Sequence, residues 1–160
     1  MSVISPWYQL GYVIPHLYTD LDAYQFYRVA PEGMMLVTTG LNLKEYSLAA
    51  VEQELPVLRE RFGLLAKKKV DRISLSGVPV AAALGRTKMR EILAEGEART
   101  GLACDTDLEA HIATLQHLGA RRIALRYASI AGPFSPVEEY TAPKPMYGVN
   151  DLGSASAPCR

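Results

Sequence analysis

The stretch VDRISLSGVPVAAALG, Val70 to Gly85, begins as a buried strand and ends in a run of small residues. At its mouth, where an α/β enzyme would place a nucleophile or a base, stand Ser76, Gly77, Val78 and Pro79. Val78 offers a backbone N–H there and Pro79 offers none. A cysteine thiolate could act as acid or base if its surroundings lowered its pKa. The chain has two cysteines, Cys104 and Cys159, and neither falls at this position. Cys104 reads as a buried, inert thiol in a short strand, and Cys159 is the penultimate residue of an irregular tail. His16, His111 and His117 make no ligand pair, since the last two are six residues apart on different helix faces, so no metal site is expected. Asp20 and Asp22, two apart in a loop, suit solvation as readily as acid–base work. Gly77 to Gly85 is no phosphate loop, because no Lys-Ser/Thr follows the second glycine. The lysines of AKKKVD, Ala66 to Asp71, suit a solvated helix C-terminus.

The elements that must position these residues alternate in period. QLGYVIP, Gln9 to Pro15, and GMMLVTTGLNL, Gly33 to Leu43, predict two strands. From Ser47 to Lys67, Leu48, Val51, Leu55, Leu58, Phe62 and Leu65 recur at three- and four-residue steps, which predicts a helix with a kink or restart at Pro56. VDRISLSG predicts a third strand covered on both sides, and Arg86 to Arg99 a second helix stopped by Thr100-Gly101. LACDT predicts a fourth strand, with Asp105 or Thr106 capping a helix whose face is Leu108, Ile112, Leu115 and Leu118. RRIALRYA, Arg121 to Ala128, predicts a fifth strand. Strands alternating with helices predict a parallel sheet with helices on both faces, and ligands beyond the carboxyl ends of the strands. Beyond Ala128 five prolines with glycines and serines leave no periodic face.

Seventeen basic and seventeen acidic side chains cancel over 160 residues, so no global field recruits nucleic acid or an anionic membrane. No apolar run reaches membrane-spanning length, no secretory leader pattern opens the chain, and two unpaired cysteines suit a reducing compartment. The expectation is a cytoplasmic protein without a membrane or nucleic-acid partner.

The ordered set GLNLKEYSLAAVEQELPVLRERFGLLAKKKVDRISLSGVPVAAALG, TGLACDT and LGARRIAL resembles the N-terminal half of the maleate cis-trans isomerase and arylmalonate decarboxylase group, within the aspartate/glutamate racemase superfamily. The resemblance covers about the first four-fifths of the chain. It implies a three-layer α/β domain with a parallel sheet of four or five strands, one half of a racemase-like two-domain fold. Residues 1–128 would form that half, and 129–160 a Pro/Gly-rich tail. The resemblance also implies cofactor-independent chemistry on small dicarboxylates or substituted malonates through an enediolate, which needs positioned donors and a nearby acid or base. In isomerases and racemases of the group the first half supplies a cysteine at the end of the third strand. In the decarboxylases that position is glycine, and the catalytic cysteine comes from the second half.

Gly77 falls on that position, so the chain reads as decarboxylase-like with no catalytic residue of its own. Substrate-binding positions carried over are Pro15, His16, Gly40, Leu43, Gly77, Val78 and Pro79, with Tyr46 beside Leu43 on the apolar side. The group's Thr-Ser pair after the glycine is here Val78-Pro79, and its strand-five tyrosine meets Ser129, with Tyr127 two residues earlier. Nothing after Ala128 resembles the second half, which suggests a truncated or frameshifted gene, inactive as an isolated half. A small carboxylate is the expected ligand, and a homodimer burying the face a partner half would cover is the expected partner. The competing reading is a non-catalytic α/β domain that binds a small molecule or a protein.

Overall fold

The computed structural model describes residues 5–17 and 21–120. The expected strand at 121–128 with Tyr127, the tail at 129–160 with Ser129 and Cys159, and Asp20 lie outside the described residues. Contacts divide the chain after Asp107. The first unit holds four strands, β1 (Tyr8–Ile14), β2 (Met34–Gly40), β3 (Arg72–Leu75) and β4 (Ala103–Thr106). Their order is β2-β1-β3-β4, and every pairing is parallel.

The strands are crossed over by α1 (Leu21–Val29), α2 (Leu48–Lys67), α3 (Val78–Leu84) and α4 (Arg86–Thr100). A fifth helix, α5 (Asp107–His117), begins at the last residue of the first unit and continues in the second. The register sorts residues onto two faces, since side chains alternate along a strand. Gly11, Val13, Ile73, Leu75, Cys104 and Thr106 share one face and are buried. A Cβ on Gly11 would meet Val70 and Leu65, which puts the end of α2 on this side. There α2, α3 and α4 pack on one another, and α4 packs on β4. The opposite face carries Tyr12, Leu36, Ser74 and Asp105, and α1 lies over it across a cavity of about 490 Å³ lined by Tyr12, Asp22, Phe26, Val29 and Leu36. Helices on both faces make the three-layer α/β arrangement.

Two local expectations need correction. The first concerns Pro56. It neither breaks nor restarts α2, which runs unbroken from the Ser47 cap, whose hydroxyl accepts the Ala50 N–H at 3.2 Å. Val51, Leu58, Phe62 and Leu65 are buried, and burial of four such side chains supplies about 6–12 kcal/mol. A proline inside a helix costs about 3 kcal/mol. Burial wins, and Pro56 and Glu52 are exposed, where water can reach the Glu52 carbonyl that the proline leaves unpaired.

The second correction is that α1 and α3 replace expected loops. None of α1 is buried, so LDAYQFYRV shows no core stripe, and the helix is held at the sheet edge by the Leu36 N–H donating to the Tyr27 hydroxyl at 3.0 Å. Asp22 belongs to its first turn. Helix α3 is seven residues bracketed by Gly77 and Gly85, too short for a periodic pattern to show. Pro79 lies in its first turn, where the missing N–H has no partner to lose. Of the two residues expected to cap α5, Thr106 stands immediately before the helix, and Asp105 is paired with Arg72 at 2.7 Å.

Replacing Pro56 with alanine restores the N–H to the Glu52 carbonyl and removes ring strain, against some added unfolded-chain entropy. Pro56→Ala is expected to stabilise the fold by about 1–2 kcal/mol, read as a higher urea midpoint at unchanged slope.

Candidate functional site

Because every strand is parallel, all four carboxyl ends share one edge. The last paired rows join Ile14 with Gly40, Val13 with Leu75, and Leu75 with Thr106. One or two residues further on, the chain ends of β1, β3 and β4 present Pro15, Gly77 and Asp107, the start of α5. The loop after β2 is stitched over the end of β1, with the Leu41 N–H on the Ile14 carbonyl at 2.9 Å and the Leu43 N–H on the Pro15 carbonyl at 3.1 Å.

These bonds bring most of the expected site residues together. Gly77 has φ +97°, and a Cβ there would sit 2.7 Å from Pro15 Cγ. Both the left-handed backbone and the proline ring select glycine. Gly40 is pressed by the His16 carbonyl oxygen, which a Cβ would run into, so β1 and β2 close on each other only without a side chain there. The Gly40 carbonyl accepts from Arg61 Nε at 3.2 Å, a tie from α2 to the same edge. His16 is exposed, and its Nε2 is 2.8 Å from the Tyr46 hydroxyl. Val78 is exposed, Pro79 is partly so, and Leu43 is only 5% exposed, so Leu43 packs into the core behind the edge.

Sequence reasoning missed the polar residues beneath this mouth. Tyr12, Ser76 and Asp107 project on one face, and the Asp107 carboxylate accepts the Gly77 N–H at 3.0 Å. The Tyr12 hydroxyl is hydrogen-bonded to both Ser76 and Asp107. Burial, with Asp107 and Asp22 nearby, pushes the phenol up to about 12, while the Ser76 bond works the other way. A carboxylate only accepts, so Tyr12 donates its one proton to Asp107 and is left to accept from Ser76. The signal was present as alternation: Ser74 and Ser76 interleave with Ile73 and Leu75, and Asp105 and Asp107 with Cys104 and Thr106.

Cys104 does not face this mouth. It is the second residue of β4, on the α2/α4 face, 7% exposed, with Sγ donating to the Leu102 carbonyl at 3.5 Å and packed over Gly96. Burial, then the Glu97 carboxylate, push its thiol up to about 11, the opposite of activation. Among the described residues no three His, Cys, Asp or Glu side chains gather as a metal site would require. No helix among them is long and apolar enough to cross a membrane.

The geometry defines a parallel α/β unit whose strand ends close on glycines. A family model described as arylmalonate decarboxylase matches residues 11–143. The chain belongs to the arylmalonate decarboxylase family. Among solved structures, unliganded arylmalonate decarboxylase matches with a TM-score of 0.62 at 22% identity, covering 76% of this chain and 51% of that one. A liganded double mutant of arylmalonate decarboxylase, with one glycine changed to cysteine and one cysteine to serine, gives 0.64 at 21%, covering 73% and 49%. The maleate isomerase Iso from Pseudomonas putida S16 gives 0.57 at 15%, covering 72% and 51%. No curated protein matches the chain. The chain spans about half the length of the solved structures it matches, and its sheet and helices correspond to one half of the racemase-like fold.

The raised pKa of Tyr12 has a stability consequence with a defined sign. A phenol whose folded pKa exceeds the usual 10 contributes stability fully below about pH 10, lost as pH rises through about 12. Tyr12→Phe is expected to unfold less steeply with alkali across that window than the parent protein, measured by urea titration at stepped pH.

Proposed function

We propose that this chain supplies the carboxylate-binding wall of a cofactor-independent site for a small dicarboxylate or substituted malonate. The observation that carries this reading is the mouth built from Gly77, Pro15, His16 and Gly40 in a chain of the arylmalonate decarboxylase family. In the decarboxylation such a site would serve, the bond to one carboxyl breaks and CO2 leaves. Its electron pair enters the enediolate of the remaining carboxylate, and an acid returns one proton to carbon. Donors at the strand ends would hold the enediolate charge, and the acid would be a thiol.

This wall offers the first and lacks the second. Gly77 stands where isomerases of the group would carry a cysteine, and Cys104 faces away from the mouth. The described half therefore binds and orients but does not protonate, and turnover requires a thiol from a second wall. The same absence favours, as the alternative, a domain that binds such a ligand without converting it.

The test is to incubate this chain alone with phenylmalonate, maleate and aspartate, and to follow products by NMR. Binding of phenylmalonate at millimolar concentration, seen as shifts of the Gly77 and Val78 amides, with no product, is the expected result. Product formation that survives Cys104→Ala would overturn the assignment of the acid to another wall. Shifts that avoid the mouth would overturn the site itself.

A further inference from the structure

Three elements converge on one amide. Continuing the parallel register one residue past its last pairs sets Ile14, Ser76 and Asp107 in a row, all on the face of Tyr12. Asp107 Oδ2 accepts the Gly77 N–H at 3.0 Å, and the same carboxylate takes the Tyr12 hydroxyl. Ser76, 4% exposed, completes the chain of bonds by donating to Tyr12, and its own N–H is held by the Val13 carbonyl at 2.8 Å. Asp107 is thus anchored from β1 and from the β3 mouth at once.

The consequence concerns the donors left for a ligand. Pro79 has no N–H, and those of Val80 and Ala81 turn back to the Gly77 carbonyl, at 2.9 and 3.4 Å, which leaves the amides of Gly77 and Val78. The Gly77 N–H is already spent on a carboxylate that belongs to the chain. An incoming carboxylate seeking that donor meets an oxygen of its own kind in place. A backbone N–H has one proton to give, so two carboxylates compete for it rather than share it.

We propose that Asp107 is a specificity-determining residue of the mouth, its carboxylate occupying the Gly77 amide as an internal stand-in for a ligand carboxylate that must displace it to bind. The proposal rests on the reading that a ligand carboxylate binds at this mouth, and adds which group opposes it. It also gives Tyr12 a role: by donating to Asp107 it holds the stand-in in place, and so acts as a positioning residue.

The experiment is a titration of phenylmalonate into the isotope-labelled chain and into Asp107→Ala and Asp107→Asn, following the Gly77 and Val78 amide resonances. Thermal melts establish that each variant is folded. Alanine removes the competing acceptor, and asparagine retains an acceptor oxygen without the carboxylate. Losing a hydrogen bond to a charged group frees the amide, so half-saturation is expected at about tenfold lower concentration in Asp107→Ala, with Asp107→Asn in between. Equal or weaker binding by Asp107→Ala, with shifts still at Gly77, would overturn this proposal and leave the carboxylate site standing. Shifts that avoid Gly77 and Val78 in all three proteins would overturn both. Should Asp107→Ala fail to fold, Tyr12→Phe removes one of the two anchors of the carboxylate. It must then tighten phenylmalonate binding by a smaller factor, and unchanged binding there would overturn the proposal.

Discussion

The parallel pairing of β1 with β2 on one side and β3 on the other governs the rest of the structure. Parallel register brings every carboxyl end to one edge and lets residues distant in sequence share a row. Pro15, Gly40, Gly77 and Asp107 come from the ends of four different strands, yet they share one edge because Gly40 closes β2 and the others follow their strands by one or two residues. Crossover helices are the price of that register, and they explain why the apolar face of the sheet is so fully buried. Val13, Ile73, Leu75 and Thr106 are at most 1% exposed beneath α2, α3 and α4.

That tight edge leaves little room for side chains. Gly40 and Gly77 are close approaches of backbone to backbone and of backbone to a proline ring. The glycine at the third strand's mouth therefore has a structural cause here as well as a catalytic implication. Its left-handed backbone starts α3, and Pro15 fills the space a side chain would need. A thiol at this position would have to displace Pro15 and adopt a backbone that side chains disfavour.

The two faces of the sheet divide the labour. One is apolar and holds Cys104 as a packing residue whose thiol stays protonated at neutral pH. The other carries hydroxyls and carboxylates, Tyr12, Ser74, Ser76, Asp105 and Asp107, each paired or buried rather than solvated. Arg72 and Asp105 form an ion pair at 2.7 Å, with side chains 42% and 21% exposed, worth little in stability. Below the mouth the polar face becomes a hydrogen-bond relay from Ser76 through Tyr12 to Asp107, and so to the Gly77 amide.

Much of this was legible in the residues themselves. The strands of the sheet, the helix from Ser47 to Lys67, its apolar face, the stop at Gly101 and the strand-end position of the candidate site all follow from periodicity and punctuation, which are local properties. The glycine at the third mouth and the family likeness were likewise readable as ordered motifs. Helices α1 and α3 were not, since one buries nothing and the other is shorter than a periodic pattern can show. Nor was the continuity of α2 through Pro56, where burial of distant side chains outweighs a local penalty. Which acid reaches which amide belongs wholly to tertiary structure: Tyr12, Ser76 and Asp107 are separated by 64 and 31 residues. Only the register of parallel strands, a non-local quantity, places them in contact.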